Sequence, residues 1–218
     1  MSDLATKLKL VTEWTKGSGS RLLAAVVELA AREPIHQISV AELCQAAGVT
    51  RDTFYRYATR PIDVLAEAMA RDLPPVEQLV AQLSEPQAAD PLQIPGRMIL
   101  QHIERNLAVY RNALRPHLDS ALRDVLLGRI LELLTAFVER RPDVLPLVCG
   151  RPPHPAEIRQ MVVFTASGIV GAVEEWTRQD PERTTNVERM LAVLFASAAP
   201  WWRPDPVGDP AHRELPAP

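Results

Sequence analysis

The sequence predicts an all-α protein. Apolar residues recur at helical spacing in successive segments along most of the chain. Proline-rich stretches such as SEPQAADP and RRPDVLPLVCGRPPHP separate these segments. No stretch has the alternating polar and apolar pattern typical of a β-strand. Together these observations favour a helical fold with an N-terminal three-helix domain, followed by a larger helical domain.

Composition limits the classes of function. The chain has 218 residues, of which 47% are hydrophobic, enough for the core of one large domain or two small ones. Its formal net charge of -3 means that any nucleic-acid surface must be local. Cys44 and Cys149 both lie in or beside apolar sequence, which fits a reducing compartment better than a disulfide framework. The N-terminus lacks the apolar run of a signal peptide, so we expect a cytoplasmic protein without a membrane partner.

Residues 1–19 lead into the stretch GSGS, residues 17–20, and are expected to form a flexible arm. The first helix is predicted to begin with Ser20 as its N-cap and to end before Pro34. One face of this helix carries the apolar residues Leu22, Leu23, Val26, Val27 and Ala30.

Three short helices are predicted next. Ser39 and Glu42 have the spacing of a capping box, which opens a second helix ending at Gly48. Thr50 is the expected N-cap of a third helix. Pro61 suits the first turn of a fourth helix. Pro74 and Pro75 break or kink this helix.

The second and third helices, joined by a short turn with a glycine, have the pattern of a helix-turn-helix. The residues predicted to pack inside it are Ala46, Ala47, Val49 and Phe54. Arg51, Asp52, Thr53, Arg56 and Tyr57 are predicted to point outward, where such side chains can reach phosphates and base edges. The alternative is an ordinary solvated helix face, which the preceding turn and capped helix disfavour.

Residues 20–70 resemble the DNA-binding domain of the tetracycline-repressor (TetR) family of bacterial transcriptional regulators, through the run ISVAELCQAAGVTRDTFYRYATRPIDVL. The resemblance implies that residues 20–72 form the DNA-binding domain and that residues 51–57 lie in the major groove. It implies base-facing positions at Arg51, Thr53 and Tyr57, and phosphate or groove-edge contacts from Thr50, Tyr55 and Arg56. Ser39 and Arg60 complete the candidate DNA-binding residues.

The sequence departs from the family pattern at three positions. Pro34 stands where a glycine usually follows the first helix, and Ala58 stands where a phenylalanine is expected. Pro61 replaces the lysine that usually begins the fourth helix and holds a phosphate. Arg60 can supply a positive charge beside that position, but from a different direction. The segment 50–60 still carries three arginines against one aspartate.

Residues 73–202 are expected to form a helical ligand-binding and dimerisation domain, and residues 203–218 a disordered proline-rich tail. The helical segments predicted there are 76–84, 94–115, 119–140, 155–179 and 185–199. Small residues on the segment GIVGAVEEW permit close approach of two helices, and this segment resembles part of the family's dimer interface. The candidate interface residues are Val163, Ser167, Val170, Gly171, Glu174, Leu191, Leu194 and Phe195. The alternative is that these helices belong to the core of the monomer.

The family resemblance also implies a small-molecule effector pocket in this domain. Candidates to line it are Met98, His102, Tyr110, Leu126, Phe137, Phe164 and Trp176, although each could equally be a plain core residue. His102 and His117 have no partner at ligand spacing, so no metal site is expected.

The sequence thus predicts a homodimeric DNA-binding transcriptional regulator, a repressor released from a palindromic double-stranded DNA operator by an unknown small-molecule effector. No cofactor is expected. The alternative is a helical ligand-binding or interaction protein whose DNA surface has decayed. An enzyme is disfavoured because the sequence contains no glycine-rich phosphate loop, nucleophile motif or clustered acid-base set.

Overall fold

The computed structural model of the protein describes residues 17–84, 91–179 and 186–198. These residues form α-helices and short 3-10 turns, and the described ranges contain no β-strand. Their β-type pairing is confined to two isolated bridges, Leu114 with Leu118 and Val148 with Arg151. The predicted all-α fold is confirmed. The tail predicted at residues 203–218 and most of the arm predicted at residues 1–19 lie outside the described residues.

The helices follow one another with short connections. Their bounds are α1 Ser18–Ala30, α2 Val40–Ala47, α3 Arg51–Tyr55, α4 Pro61–Asp72, α5 Val76–Ala81, α6 Gln93–Arg105, α7 Leu107–Asn112, α8 Ser120–Arg140, α9 Pro155–Arg178 and α10 Val187–Ser197. Short 3-10 turns cover Ile35–Gln37, Gln82–Ser84 and Pro142–Val144. The chain divides into two compact units. The first unit comprises Met1–Leu73 and Arg105–Val125, and the second comprises Pro74–Glu104 and Leu126–Pro218.

In the first unit, α1 packs against α2 and α4. The contact buries the apolar stripe that the sequence predicted on α1, with Leu22 and Val26 fully buried. Leu43 from α2 and Leu65 from α4 are buried in the same unit. Asn112, at the end of α7, donates its side-chain N–H to the carbonyl oxygen of Ala30 at 2.9 Å. This bond satisfies one of the carbonyl groups that the last turn of α1 leaves unpaired.

The start of α1 and the helix predicted at residues 94–115 differ from the prediction. The N-cap of α1 is Gly17 and not Ser20, whose hydroxyl instead donates to the Gly17 carbonyl oxygen at 3.1 Å from within the first turn. The single helix predicted at residues 94–115 is two helices, α6 and α7, separated at Asn106. The Asn106 amide donates to the carboxylate of Asp72 at 2.8 Å. The spacing of apolar residues carries no information about a side-chain hydrogen bond at a helix break, so it could not predict this one.

The second unit contains α5, α9 and α10 and most of α6 and α8. Its buried residues include Ile103, Phe137, Val170 and Trp176. The guanidinium of Arg129 donates to the carbonyl oxygen of Pro74 at 2.7 Å, which holds α8 to the start of the connection before α5.

Helix α9 has an apolar surface that the described chain leaves largely uncovered. An 18-residue window of α9 has a mean hydropathy of 1.2, yet only 22% of that window is buried. This helix is long and apolar enough to cross a membrane. Core helices of soluble proteins meet the same two criteria. Val163 and Phe164 on this helix are 49% and 82% exposed. A large exposed apolar surface marks a candidate contact site.

Candidate nucleic-acid interface and ligand cavity

Both helices of the predicted helix-turn-helix begin with the caps that the sequence indicated. The Ser39 hydroxyl accepts the backbone N–H of Glu42 at 3.1 Å and caps α2. The Thr50 hydroxyl accepts the backbone N–H of Thr53 at 3.2 Å and caps α3. Each cap satisfies an N–H group that has no partner within its helix. The start of α3 is therefore fixed by a local bond.

Gly48 makes the turn between α2 and α3. Its φ of 60° and ψ of 42° are left-handed, a conformation that costs a residue with a Cβ roughly 1–2 kcal/mol. Val49 donates its backbone N–H to the Cys44 carbonyl oxygen at 3.0 Å, which closes the end of α2. The glycine thus allows α3 to leave in a new direction directly after α2.

The packing inside this motif matches the prediction except at one residue. Phe54 is fully buried and Ala47 is 4% exposed, and Val49 is half-buried. Ala46 is exposed, so its predicted inward position is wrong. The buried residues of α2 are Leu43, Cys44 and Ala47, and at 3.6 residues per turn Ala46 falls outside this stripe.

The outward face of α3 and of the turn that follows it is polar and aromatic. Helix α3 has five residues and its C-cap is Arg56, so the segment 51–57 that the resemblance assigns to the major groove extends past the end of the helix. Arg51, Arg56 and Tyr55 are exposed, and Tyr55 is 59% exposed. Thr53 and Tyr57 are half-buried at the margin of this face. The candidate DNA-contact residues from Thr50 to Tyr57 therefore lie on one short, capped segment.

Two local contacts order side chains on this face. The Thr50 and Thr53 hydroxyl oxygens lie 2.9 Å apart and share one hydrogen bond. Since each hydroxyl has one hydrogen, the pair keeps one O–H donor for an external acceptor. The ring of Tyr55 meets that of the buried Phe54 edge to face, with centroids 5.3 Å apart. The exposed ring of Tyr55 thus packs against the buried ring of Phe54.

Arg60 is held at the start of α4 by Asp63. Its guanidinium donates to Asp63 Oδ1 at 2.8 Å, and its backbone N–H donates to Asp63 Oδ2 at 2.8 Å. Burial acts to raise the pKa of Asp63, but the hydrogen bonds from Arg60 outweigh it and the pKa is lowered. Pro61 is the first residue of α4, as predicted. The positive charge of Arg60, beside the position where the family usually has a lysine, is therefore already paired with Asp63.

Asp63→Asn is expected to strengthen DNA binding, because it removes the carboxylate that competes with phosphate for Arg60. The asparagine oxygen can still accept the Arg60 backbone N–H and keep the helix start. We expect a gain in affinity of about two- to fivefold and a steeper dependence of log K on log salt, by about one unit. Fluorescence anisotropy on labelled DNA at several salt concentrations measures both. Glu139→Gln, an exposed carboxylate on α8, controls for net charge; equal effects of the two variants would refute a specific competition at Arg60.

A cavity of about 590 Å³ lies within the second unit, between α6, α8, α9 and α10. Of the seven residues predicted to line an effector pocket, only Phe164 lines this cavity. His102, Leu126, Phe137 and Trp176 are buried elsewhere, Met98 is half-buried, and Tyr110 is buried in the first unit. The small residues Gly168 and Ala172 of α9 also line the cavity. A search for large side chains could not find this signal.

The eight predicted interface residues occupy different environments. Val163 and Gly171 are exposed and Ser167 is half-buried, whereas Val170 and Glu174 are buried. The three residues from α10, which are Leu191, Leu194 and Phe195, line the cavity. The outer face of α9 is thus the part of the predicted interface that is open to solvent.

Neither described cysteine takes part in a disulfide. Across residues 17–84, 91–179 and 186–198, no group of three His, Cys, Asp or Glu side chains is placed to hold a metal ion.

Comparison with known proteins connects this geometry to a family. Residues 22–59 match the family model for bacterial regulatory proteins of the tetR family. This match includes α2, the Gly48 turn and α3. No curated protein matches the chain significantly.

Three solved structures share the fold over most of the chain. The fatty acid degradation regulator FadR from Bacillus halodurans is 21% identical, with 84% of this chain and 97% of that one covered and a TM-score of 0.54. The dihydroxyacetone kinase operon activator DhaS is 18% identical, with coverage of 82% and 92% and a TM-score of 0.54. A tetR-family transcriptional regulator from Streptomyces coelicolor is 14% identical, with coverage of 81% and 77% and a TM-score of 0.52. At these identities the likeness concerns the fold alone. The match at residues 22–59, with the capped helix-turn-helix built there, identifies this segment as the DNA-binding domain of the tetR family of bacterial regulatory proteins.

Proposed function

We propose that this protein is a homodimeric transcriptional repressor, released from a palindromic operator when a small molecule binds its second unit. The coarser statement, a DNA-binding regulator of transcription, follows from the family. The observation that carries the proposal is the capped segment from Thr50 to Tyr57, which holds an exposed polar and aromatic face over the buried Phe54. A cytoplasmic location, where the DNA is accessible, and the absence of enzymatic activity belong to the same proposal.

The recognition segment divides into two kinds of contact. We assign base edges in the major groove to Arg51, Thr53 and Tyr57, because guanidinium and hydroxyl groups can read donor and acceptor patterns there. Exposed Tyr55 and Arg56 suit phosphates at the groove edge. We also assign contacts with the DNA phosphate backbone to the cap residues Ser39 and Thr50 and to the paired Arg60.

Dimerisation would supply the second recognition segment. One helix reads too few base pairs for specificity, and helix-turn-helix dimers place two of them about 34 Å apart, or at a larger helical multiple. The outer face of α9 supports this helix as the contact, because Val163 is 49% exposed and the small, exposed Gly171 lies about two turns further along the helix. A protein covering two successive major grooves also excludes other proteins from that stretch of promoter, which is how we expect repression to arise.

Release by a ligand requires a difference in affinity between two arrangements of the dimer. A molecule that binds the second unit better in the arrangement unable to span the operator half-sites shifts the population toward it. The cavity in the second unit is the candidate site for that molecule.

Titration of the protein onto genomic fragments flanking its own gene, at two salt concentrations, tests the proposal. We expect at least one fragment to be bound preferentially over random DNA at both concentrations. A promoter fused to a reporter then distinguishes repression from activation, a necessary step because one structural relative is named an operon activator. Binding of every fragment with the affinity of random DNA would contradict the proposed function.

A second candidate is a helical ligand-binding protein whose DNA surface has decayed. The pairing of Arg60 with Asp63 beside Pro61 favours it, since the usual phosphate contact is altered there. The same titration separates the two candidates, because this second protein would show no preferred fragment.

Tyr57→Ala and Arg56→Ala are expected to differ in kind. Loss of a base contact at Tyr57 should cost about 1–3 kcal/mol of binding free energy and relax the preference at one position of each half-site. Loss of a phosphate contact at Arg56 should weaken all sequences evenly and reduce the salt slope by about one. Affinities for a panel of single-base operator variants, measured at several salt concentrations, check both. If the two substitutions affect every sequence equally, the assignment of their roles is wrong.

A further inference from the structure

The cavity of the second unit has walls that are almost entirely apolar. It occupies about 590 Å³, within the roughly 300–1,000 Å³ of small-molecule sites. None of the described residues lining it carries a charge, and its polar side chains are limited to those of Gln160, Thr165 and Ser197. Its floor is formed by buried aliphatic residues such as Ile99 and Leu134, which are 5% and 3% exposed.

One ion pair joins two of the helices that line the cavity. Arg97 follows the lining residue Gly96 in α6, and its guanidinium donates to both carboxylate oxygens of Glu188 on α10, at 2.6 and 2.9 Å. The hydrogen bond from Arg97 lowers the pKa of Glu188, so the pair stays ionised at neutral pH. A bidentate pair of this kind joins α6 to α10 and leaves neither charge in need of a ligand's counter-charge.

These two observations limit the ligand. Moving a carboxylate, phosphate or ammonium group from water into a site without a counter-charge costs several kcal/mol. Apolar surface gains about 25 cal/mol for each Å² removed from water, and the aliphatic walls can cover much of a small molecule. One or two hydroxyl, carbonyl or amide groups on the ligand can still be met by Gln160 or Ser197.

Resting on the proposed function, which gives the second unit a ligand, we infer that the cavity takes an uncharged, predominantly apolar small molecule and discriminates against anionic analogues of it. The uncharged lining sets the charge selectivity. Binding also requires a small residue at position 168, because Gly168 faces open space and a larger side chain there would project into the cavity.

Two dyes that differ by one charged group test this inference on the full-length protein. N-phenyl-1-naphthylamine is uncharged, and 8-anilinonaphthalene-1-sulfonate is the same molecule with a sulfonate. We expect saturable binding of the uncharged dye, seen by its fluorescence, and binding of the sulfonate at least about tenfold weaker. Nile red, uncharged and larger than either dye, controls for size. Equal or tighter binding of the sulfonate, or failure of both uncharged dyes to bind, would overturn the inference.

Cavity-filling variants locate the bound dye. Leu134→Phe adds volume from α8, and Gly168→Leu adds it from α9; either should reduce binding of the uncharged dye by about tenfold or more. Gly128→Leu is the matched control, since Gly128 also faces open space but does not line the cavity. Helical circular dichroism verifies that each variant is folded. Undiminished dye binding by both folded filling variants would place the dye elsewhere and reject the site.

The outcome is independent of the DNA titration. Preferred DNA binding without the expected dye selectivity would contradict only the ligand inference. Selective dye binding by a protein with no preferred DNA fragment would contradict only the proposed regulator.

Discussion

Gly171→Arg is expected to leave the chain folded but to convert the proposed dimer into a monomer. A Cβ added at Gly171 meets no atom within 4 Å, so the monomer has room for a side chain there. Arginine also has a higher helix propensity than glycine. A charged side chain between two closely packed copies of α9 would instead separate them. Sedimentation velocity measures the change in mass, and circular dichroism verifies the fold.

The same substitution should weaken binding to a two-half-site operator by about 100-fold or more, because the second recognition helix would no longer be held near the DNA by the first. Binding to an isolated half-site should change little. Gly128→Arg is the matched control: that glycine also faces open space and lies on α8, outside the predicted interface. A Gly171→Arg protein that remains dimeric and binds the operator normally would exclude α9 around Gly171 from the interface.

Phe54→Ala is expected to destabilise the first unit by about 3–5 kcal/mol, because Phe54 is fully buried and its truncation removes apolar contacts and leaves a cavity. Because the chain has two units, a single global unfolding transition is a poor measure. Hydrogen exchange of backbone amides in α1–α4 reports the local opening free energy directly. We expect faster exchange there and loss of DNA binding together.

Tyr55→Ala provides the comparison for this prediction. Tyr55 is the neighbouring aromatic residue and touches Phe54, but it is 59% exposed. Its truncation should cost less than about 1 kcal/mol of stability, while removing a proposed DNA contact. If Phe54→Ala exchanges its amides no faster than Tyr55→Ala, Phe54 does not anchor the recognition segment.

Local chemistry explains why the first unit could be predicted from sequence. The caps at Ser39 and Thr50 and the left-handed Gly48 each depend on a few adjacent residues, and all three are present where the sequence placed them. Phe54 was predictable because it is the large apolar residue on an otherwise polar segment. Ala46 was not, since an alanine near a helix end suits either a buried or an exposed position.

The second unit was harder to predict because its features depend on packing between distant segments. The cavity forms where residues of α6, α8, α9 and α10 fail to fill the space between them, which no single helix reveals. Choosing large side chains as pocket candidates favoured residues such as Phe137 and Trp176, which fill the core. The Arg97–Glu188 pair joins residues 91 positions apart, beyond any local pattern.

The central claim is that the segment from Thr50 to Tyr57 reads the major groove of a specific DNA site. Dimethyl sulfate protection on a preferred fragment tests it directly, because this reagent methylates guanine N7 in the major groove and adenine N3 in the minor groove. We predict protected guanine N7 positions in two clusters, separated by about 10 base pairs or a multiple, and loss of this protection with Arg51→Ala. Protection confined to adenine N3, or a guanine pattern that Arg51→Ala leaves unchanged, would contradict the account.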